Sequence, residues 1–157
     1  MRGRAIENIL IRECTPNDID QVYQLDTRWG REDIAYEFIP ISREEFIAHL
    51  ERFPTYFLVA ESEGYLVGYI NGSVLLNQDI PVLPKQEPYL EIENIYVKPD
   101  FRNRQIGGKL IERLLEIAGQ NGIQRFLVST VTKDMAKILN FYQSHGFKAW
   151  CVQMFKE

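Results

Sequence analysis

The chain has 157 residues and a formal net charge of −4, with 45% hydrophobic and 25% charged residues. This length suits one domain with its own hydrophobic core, and the composition is typical of globular proteins. The acidic balance disfavours a general nucleic-acid binder, because affinity for phosphate backbones needs a surplus of Lys and Arg. No apolar run approaches the ~20 residues that cross a bilayer, and the first residues are polar and charged. We therefore expect one domain over residues 1–157, cytoplasmic and without nucleic-acid or membrane partners.

The first third of the chain carries one strand signal and two helix signals. Ile9–Arg12 is apolar enough for a short strand. Thr15–Asp18 predicts a helix start, since a threonine cap, a proline in the first helical position and an early acidic residue occur in order. Ser42 followed by Glu45 is a capping box and predicts a second helix. Between the two helices, Gly30–Ile41 is irregular.

A β-rich region follows. Tyr56–Glu61 and Tyr65–Leu76 are rich in β-branched and aromatic residues and meet at Glu63–Gly64, which predicts a hairpin. Asn77–Pro88 contains three prolines and is expected to be a loop. Tyr89–Val97 is expected to be the next strand.

The last third alternates helix and strand. Gly107–Asn121 has apolar residues at helical spacing, and Gln124–Thr130 is expected to be a strand. Thr132 or Asp134 is expected to cap a last helix, which stops just before Gly146.

Phe147–Phe155 is predicted as a final strand, and the element order indicates the fold class. Antiparallel strands followed by helical crossovers predict an α/β fold with a mixed, mainly antiparallel central sheet of six to seven strands, flanked on both faces by four helices. Cys14 and Cys151 have neither a metal-type spacing nor a disulfide framework, so we expect both to be buried apolar residues.

The most informative stretch runs from the predicted strand Tyr89–Val97 into the next helix. After the strand comes Val97-Lys98-Pro99, then a loop with Arg102, Arg104 and Lys109 around two glycines. Such a loop gathers backbone N–H groups and a helix N-terminus at one point, which suits a phosphate-bearing ligand. It lacks the three-glycine spacing of a dinucleotide-binding fold, and the chain has no P-loop motif.

This stretch resembles motif A of the GNAT N-acetyltransferase superfamily. Val97-Lys98-Pro99 matches the family's strand exit, and Arg102-Asn103-Arg104-Gln105-Ile106-Gly107 matches its loop signature except that Gln105 stands at the first glycine position. If that position needs positive φ, Gln105 is strained; if it needs only a free N–H, little is lost. Asn140–Phe147 resembles the family's helix-to-strand signature, although Met135 stands where the family often has Asn. The element order also fits, so the resemblance covers nearly the whole chain.

The resemblance implies the acyl-CoA N-acyltransferase fold and acetyl-CoA as the acetyl donor. The diphosphate is then expected on the backbone N–H groups of the loop, and the pantetheine arm on the edge of the preceding strand. We expect Arg104 to be more exposed than Arg102. The residues expected to bind acetyl-CoA are Ile95, Tyr96, Val97, Arg102, Asn103, Arg104, Gln105, Ile106, Gly107, Gly108 and Lys109.

Three residues are candidates for catalysis. By resemblance, the hydroxyl of Tyr142 is expected near the thioester sulfur, where it could protonate the leaving thiolate. An attacking amine must be neutral, so Glu91 or Glu93 is expected to take its proton; the sequence does not choose between them. The two carboxylates would share a strand face with Ile95 and Val97 unless a bulge intervenes.

The acceptor side and the histidines are less informative. Gly30–Ile41 and Asn77–Pro88 are natural walls for an acceptor site, since loops on a rigid scaffold often hold specificity. Their acidic residues would suit a cationic acceptor; they are Glu32, Asp33, Glu37 and Asp79. His145 is expected to interact with a helix C-terminus, and neither His49 nor His145 has a metal-type partner.

These features predict an acetyl-CoA-dependent N-acetyltransferase in which a primary amine attacks the thioester directly, without an acyl-enzyme and without a metal. The alternatives are a non-catalytic acyl-CoA-binding or regulatory module, motivated by Gln105 and Met135, and more remotely a protein-binding domain. A homodimer is compatible with the resemblance, although no residue requires it.

Overall fold

A computed structural model describes residues 8–157, which form a mixed five-stranded sheet with strand order β1-β2-β3-β4-β5. The strands are β1 (Ile9–Glu13), β2 (Phe57–Ser62), β3 (Tyr65–Leu76), β4 (Pro88–Val97) and β5 (Phe126–Val128). The helices are α1 (Ile19–Trp29), α2 (Arg43–Arg52), α3 (Ile106–Gln120) and α4 (Met135–Ser144). The first three strand pairs are antiparallel, and β4 pairs with β5 in parallel. The mixed sheet and the four helices confirm the predicted fold class.

Local sequence signals set several element ends. The Ser42 hydroxyl accepts from the Glu45 N–H at 3.1 Å while the Glu45 carboxylate accepts from the Ser42 N–H at 2.7 Å, which closes the predicted capping box. Glu63 and Gly64 both have positive φ in the tight turn of the hairpin. Gly146 has φ of 89° directly after the C-cap of α4, a conformation that glycine adopts without strain.

The sheet separates two apolar clusters, which places α1 and α2 on one face and α3 and α4 on the other. The first cluster joins one sheet face to buried residues of α3, including Leu110, Ile111 and Leu114, and to Tyr142 of α4. The second joins the opposite face to residues of α1 and α2 such as Val22 and Phe46. Each amphipathic helix therefore buries its apolar stripe against the sheet.

The prediction of six to seven strands is wrong for the described residues, which contain five. β5 is limited to three residues, and Phe147–Phe155, predicted as a final strand, has no regular structure. Its β-rich composition is not sufficient, because strand propensity reflects packing on a pleated surface beside a paired neighbour. Within this segment only Phe147 packs partly against the α3 cluster.

The two cysteines differ from each other. Cys14 is buried in the α1–α2 cluster, as predicted, whereas Cys151 is exposed because its segment does not join the sheet. In the described part of the chain, no helix is long and apolar enough to cross a membrane.

Candidate active site

The edge of β4 opens halfway along the strand. β3 pairs with β4 from Pro88 to Val97, but β5 pairs with β4 only over Leu90–Ile92. The parallel ladder stops there, so within residues 8–157 the β5-side edge of β4 from Glu93 to Val97 has no strand partner. An unpaired edge presents backbone N–H and C=O groups that an extended amide-bearing molecule can pair with.

The loop after β4 presents backbone N–H groups to one point. Asn103 and Gln105 both adopt left-handed backbone, with φ of 61° and 63°. The 15-residue helix α3 then starts at Ile106, and its N-terminus has no acidic residue in the first turn. The N–H groups of Ile106, Gly107 and Gly108 precede the first intrahelical bonds and have no carbonyl acceptor among the described residues. These donors and the helix dipole favour an anion at this point.

The basic residues of this loop have different environments. Arg104 is exposed and lies over the Phe101 ring, while Arg102 is half-buried, which confirms the expected order of exposure. Arg102 donates to the carbonyl of Val97 at 2.8 Å and pairs with Glu32 at 2.7 Å. Its guanidinium therefore braces the loop against the segment between α1 and α2, and is already paired with a carboxylate.

The three β4 residues expected at the donor site face opposite sides of the sheet. Ile95 and Val97 pack against the α3 cluster, whereas Tyr96 stacks on Trp29 with ring centroids 5.7 Å apart. The Tyr96 hydroxyl donates to Glu32 at 2.5 Å. These residues can offer only backbone groups to a ligand along the edge, since their side chains pack against the helices on the two faces of the sheet.

Tyr142 lies where α4 meets the α3 cluster. The residue is buried, and its ring packs edge-on against Phe141 and Phe147. Its hydroxyl has no hydrogen-bond partner among residues 8–157, and burial raises the pKa of Tyr142 to about 12. The side chain therefore carries its proton throughout the physiological range.

A β-bulge in β4 decides where the two glutamates point. Asn94 lies opposite Asn71, but Ile92 lies opposite Gly72, so Glu93 is the extra residue. A Cβ on Gly72 would lie 2.9 Å from the Glu91 carbonyl oxygen, so glycine is what lets the strands approach this closely.

The bulge corrects one prediction. Leu90 and Ile92 before it and Ile95 and Val97 after it all join the α3 cluster. Glu91 and Glu93 therefore both face α1 and α2, and the face shared with Ile95 and Val97, which was expected only without a bulge, does not form. Burial, followed by the Glu93 charge, raises the pKa of Glu91.

Glu93 is held by two side chains that the sequence did not single out as its partners. The Ser73 hydroxyl of β3 donates to Oε1 of Glu93. Nδ1 of His49, on α2, lies 3.5 Å from Oε2, and Nε2 of His49 lies 3.0 Å from the Gly72 carbonyl oxygen. The sequence carries no signal for this cluster, because its members come from three elements brought together only by the fold.

The acidic residues considered for acceptor binding are not equally available. Glu32 forms an ion pair with Arg102 and accepts a hydrogen bond from Tyr96, and Asp33 pairs with Lys133. Glu37 and Asp79 are exposed. A cationic acceptor would therefore meet fewer uncompensated charges than the composition of the two loops indicates.

His145 is the C-cap residue of α4, and its ring turns toward α3. Its Nδ1 lies 3.6 Å from a carboxylate oxygen of Glu112. Groups of three or more His, Cys, Asp or Glu residues that could hold a metal ion are absent from the described residues.

Comparison with known proteins places the chain in a family. The family model described as Acetyltransferase (GNAT) family matches residues 17–147. The chain therefore belongs to the GNAT acetyltransferase family, which confirms the resemblance seen in its motifs.

Two curated relatives are N-acetyltransferases by name. An uncharacterized N-acetyltransferase of Methanocaldococcus jannaschii is 28% identical over 145 residues, which are 91% of this chain and 62% of that protein. An N-alpha-acetyltransferase of Sulfurisphaera tokodaii is 26% identical over 144 residues, 88% of this chain and 79% of that protein. The chain thus spans about six-tenths of the first relative's length.

Solved structures share the fold. The aminoglycoside N-acetyltransferase AAC(6′)-Iy in complex with CoA matches with a TM-score of 0.74 at 17% identity, covering 100% of this chain and 98% of that one. Ard1 from Thermoplasma volcanium matches with a TM-score of 0.73 at 21% identity, covering 91% of this chain and 84% of that one. At these identities the likeness establishes the architecture alone.

Proposed function

We propose that the protein transfers the acetyl group of acetyl-CoA to a primary amine, which attacks the thioester directly in a ternary complex. One observation carries the proposal: the open edge of β4 runs from the Glu93 carboxylate at the bulge to the anion-receptive loop before α3. The edge suits an extended amide arm, the loop suits a diphosphate, and the bulge supplies a carboxylate where the arm would end. The names of the two curated relatives support the same activity.

The donor would be held mainly by backbone groups. The N–H groups of Ile106, Gly107 and Gly108 would receive the diphosphate, and the exposed ammonium of Lys109 would add charge beside them. AAC(6′)-Iy was solved both with CoA and with a CoA-linked bisubstrate analogue, and its fold is shared by this chain.

Glu93 would act as the base. The bulge leaves its side chain 41% exposed, so a carboxylate oxygen can meet an incoming ammonium group. Glu93 would take one proton from that ammonium, and the neutral nitrogen would attack the thioester carbonyl carbon. A backbone N–H at the exit of β4 would polarise the carbonyl oxygen during attack. Glu91, on the same face, remains the second candidate.

Tyr142 would assist the departure of the thiolate. When the C–S bond breaks, the sulfur needs a proton, and a hydroxyl that keeps its own proton at neutral pH can supply it. Cys14 is buried in the α1–α2 cluster, which leaves direct attack favoured over an acyl-enzyme on that thiol.

The competing function is a non-catalytic acyl-CoA-binding module, motivated by Gln105 and Met135. Gln105 adopts the left-handed conformation that the loop needs, so the departure from glycine costs strain but keeps the geometry. Met135 is the first residue of α4, and Asp134 caps that helix by accepting from the Lys137 N–H at 3.2 Å. Neither observation favours loss of turnover.

Donor binding is the first test. Calorimetry with CoA should give saturable binding, and Lys109→Gln should weaken it about tenfold through loss of one charge-assisted contact. Arg113→Gln is the matched control, because Arg113 lies one turn further along α3, is exposed and pairs with Glu116. No heat and no thermal shift at millimolar CoA would refute both the enzyme and the binding module.

Turnover is the second test. Thiol release from acetyl-CoA across a panel of primary amines separates the enzyme from the module. With an active amine, Tyr142→Phe should lower kcat about 100-fold while CoA affinity stays the same, because only the proton donor is lost. Tyr65→Phe, at an exposed position beside the hairpin turn, controls for loss of a hydroxyl elsewhere. Unchanged turnover in Tyr142→Phe would exclude Tyr142 as the acid.

A further inference from the structure

The cluster of Glu93, His49 and Ser73 fixes each carboxylate oxygen of Glu93 against a different partner. Ser73 Oγ–H donates to Oε1, and Nδ1 of His49 faces Oε2 at 3.5 Å. His49 is 11% exposed at its side chain, while Glu93 reaches solvent. The carboxylate is therefore held from β3 on one side and from α2 on the other.

The tautomer of His49 follows from its other neighbour. Nε2 lies 3.0 Å from the Gly72 carbonyl oxygen, which can only accept, so Nε2 must carry a hydrogen. In the neutral ring, Nδ1 then has a lone pair, and that lone pair faces the lone pairs of Glu93 Oε2. Two acceptors face each other without a proton, and one added proton turns their contact into a hydrogen bond.

The surroundings of His49 favour the neutral ring. The ring lies between Phe53 and Phe57, with centroids 5.4 and 5.6 Å away. Burial lowers the pKa of His49, the Glu93 charge raises it, the bond to Gly72 raises it, and the Arg52 charge lowers it, with a net value below the ordinary one. The charged groups around the ring are thus Glu93 from β4 and Arg52 from α2.

We propose that His49 is a positioning residue and that it forms, with Glu93, a pair that holds one proton. The proton taken from the amine would lie between Glu93 Oε2 and His49 Nδ1. This inference rests on the proposed acetyl transfer. In the step, one N–H bond of the substrate ammonium breaks and its electron pair stays on nitrogen. The proton is taken up between Oε2 and Nδ1, bonded to one of them and hydrogen-bonded to the other, while Ser73 keeps Oε1 in place. After transfer, the exposed carboxylate returns the proton to water.

The kinetic test uses two substitutions of different shape. His49→Gln keeps an amide N–H that can donate to the Gly72 carbonyl but replaces the basic Nδ1 with an amide oxygen that accepts hydrogen bonds and does not take up a proton in the physiological range. His49→Phe loses both the donor and the acceptor. Both should move the acid-side limb of the kcat/KM profile to lower pH by about one unit and lower kcat about tenfold at neutral pH. The KM for acetyl-CoA should stay unchanged. If the acid-side limb of the kcat/KM profile in His49→Gln coincides with that of the wild type, the proposal is overturned. A purely structural role of His49 would give that result, because this variant preserves the contact with Gly72.

A second test needs neither acetyl-CoA nor an acceptor. The chain has two histidines, so ¹⁵N-labelled imidazole signals can be assigned with His145→Gln. We expect His49 to be the Nε2–H tautomer, and Glu93→Gln to lower its titration midpoint because the nearby negative charge is removed. An Nδ1–H tautomer would refute the pairing, and so would a His49 titration midpoint that is unchanged in Glu93→Gln. Absence of CoA binding, by contrast, would refute the proposed function while leaving the pairing intact.

Discussion

At the scale of single residues, Gln105 illustrates how a motif position can retain its geometry without its usual residue. Its φ of 63° is a conformation that costs a non-glycine residue about 1 kcal/mol. Gln105→Gly should raise the free energy of unfolding by roughly 0.5 kcal/mol, because the relieved strain is partly offset by the greater freedom of glycine in the unfolded chain. Urea unfolding would measure it.

The control for Gln105→Gly is Gln120→Gly at the end of α3, where the backbone is helical. That change should lower the free energy of unfolding by about 0.5–1 kcal/mol. If both substitutions destabilise the protein, the left-handed conformation at Gln105 carries no strain.

The residue scale also shows where sequence interpretation reached its limit. The sequence predicted the relative exposure of Arg102 and Arg104, but it could not indicate that the Arg102 guanidinium is paired with Glu32. Those residues are separated by 70 positions in the chain. Only the fold brings the α1–α2 segment against the end of β4.

At the scale of elements, a buried carboxylate on α1 fixes the entry to α2. Asp26 is almost fully buried, accepts from the Tyr69 hydroxyl at 3.0 Å and accepts from the Ile41 N–H at 3.2 Å. Burial raises the pKa of Asp26, and the two hydrogen bonds oppose this shift. The side chain thus joins α1, β3 and the segment that leads into α2.

Two substitutions of Asp26 should distinguish the contribution of its hydrogen bonds to stability from that of its charge. Asp26→Ala leaves two buried donors unsatisfied and should lower the free energy of unfolding by about 2 kcal/mol. Asp26→Asn can accept from Ile41 and donate to the Tyr69 oxygen, so at pH 7 it should stay within about 1 kcal/mol of wild type. Urea unfolding distinguishes the two; equal losses in both variants would mean that the charge itself is required.

Element ends and the β4 bulge differ in how far sequence predicts them. The capping box at Ser42 and the stop at Gly146 depend on neighbouring residues, so the local sequence predicts them. The bulge at Glu93 depends on the register of β4 against β3, which places Gly72 where a side chain would clash. The sequence allows a bulge in this strand, but the position of the bulge follows only from the strand register.

At the scale of the whole molecule, one arginine connects β1, β2 and the start of the first helix. Arg12 makes a two-point contact with Asp18, at 2.7 and 2.9 Å, and donates to Glu61 at 2.8 Å. The hydrogen bonds from Arg12 lower the pKa of Asp18 in spite of its burial. This cluster joins the edge strand β1 to β2 and to the start of α1.

The cluster should make stability depend on acid pH. Because the folded pKa of Asp18 is depressed, its contribution is complete above the unfolded value of about 3.9 and is lost as pH falls through the folded value. Asp18→Asn should cost about 2 kcal/mol at pH 7, and its deficit relative to wild type should shrink below pH 4. Thermal unfolding at several pH values would measure this.

Asp20→Asn is the control for the acid-pH prediction, since Asp20 is an exposed carboxylate paired with Arg43 at the surface. It should change stability by no more than about 0.5 kcal/mol at any pH. A constant deficit of Asp18→Asn across the pH range would contradict the linkage.

The sequence by itself determined the family, the four helices, the hairpin and the loop between β4 and α3, because each depends on residues close together in the chain. Caps, turns and the strand-loop-helix motif are local patterns, and the order of the motifs along the chain is sufficient to indicate the GNAT superfamily. The tertiary structure decided the number of strands, since Phe147–Phe155 pairs with no strand among the described residues.

The tertiary structure also decided the face of Glu91 and Glu93 and the grouping of Glu93 with His49 and Ser73. These outcomes depend on strand register and on side chains brought together from three different elements. No local pattern in the chain encodes either of them, and so the base side of the proposed site emerged only from the folded molecule.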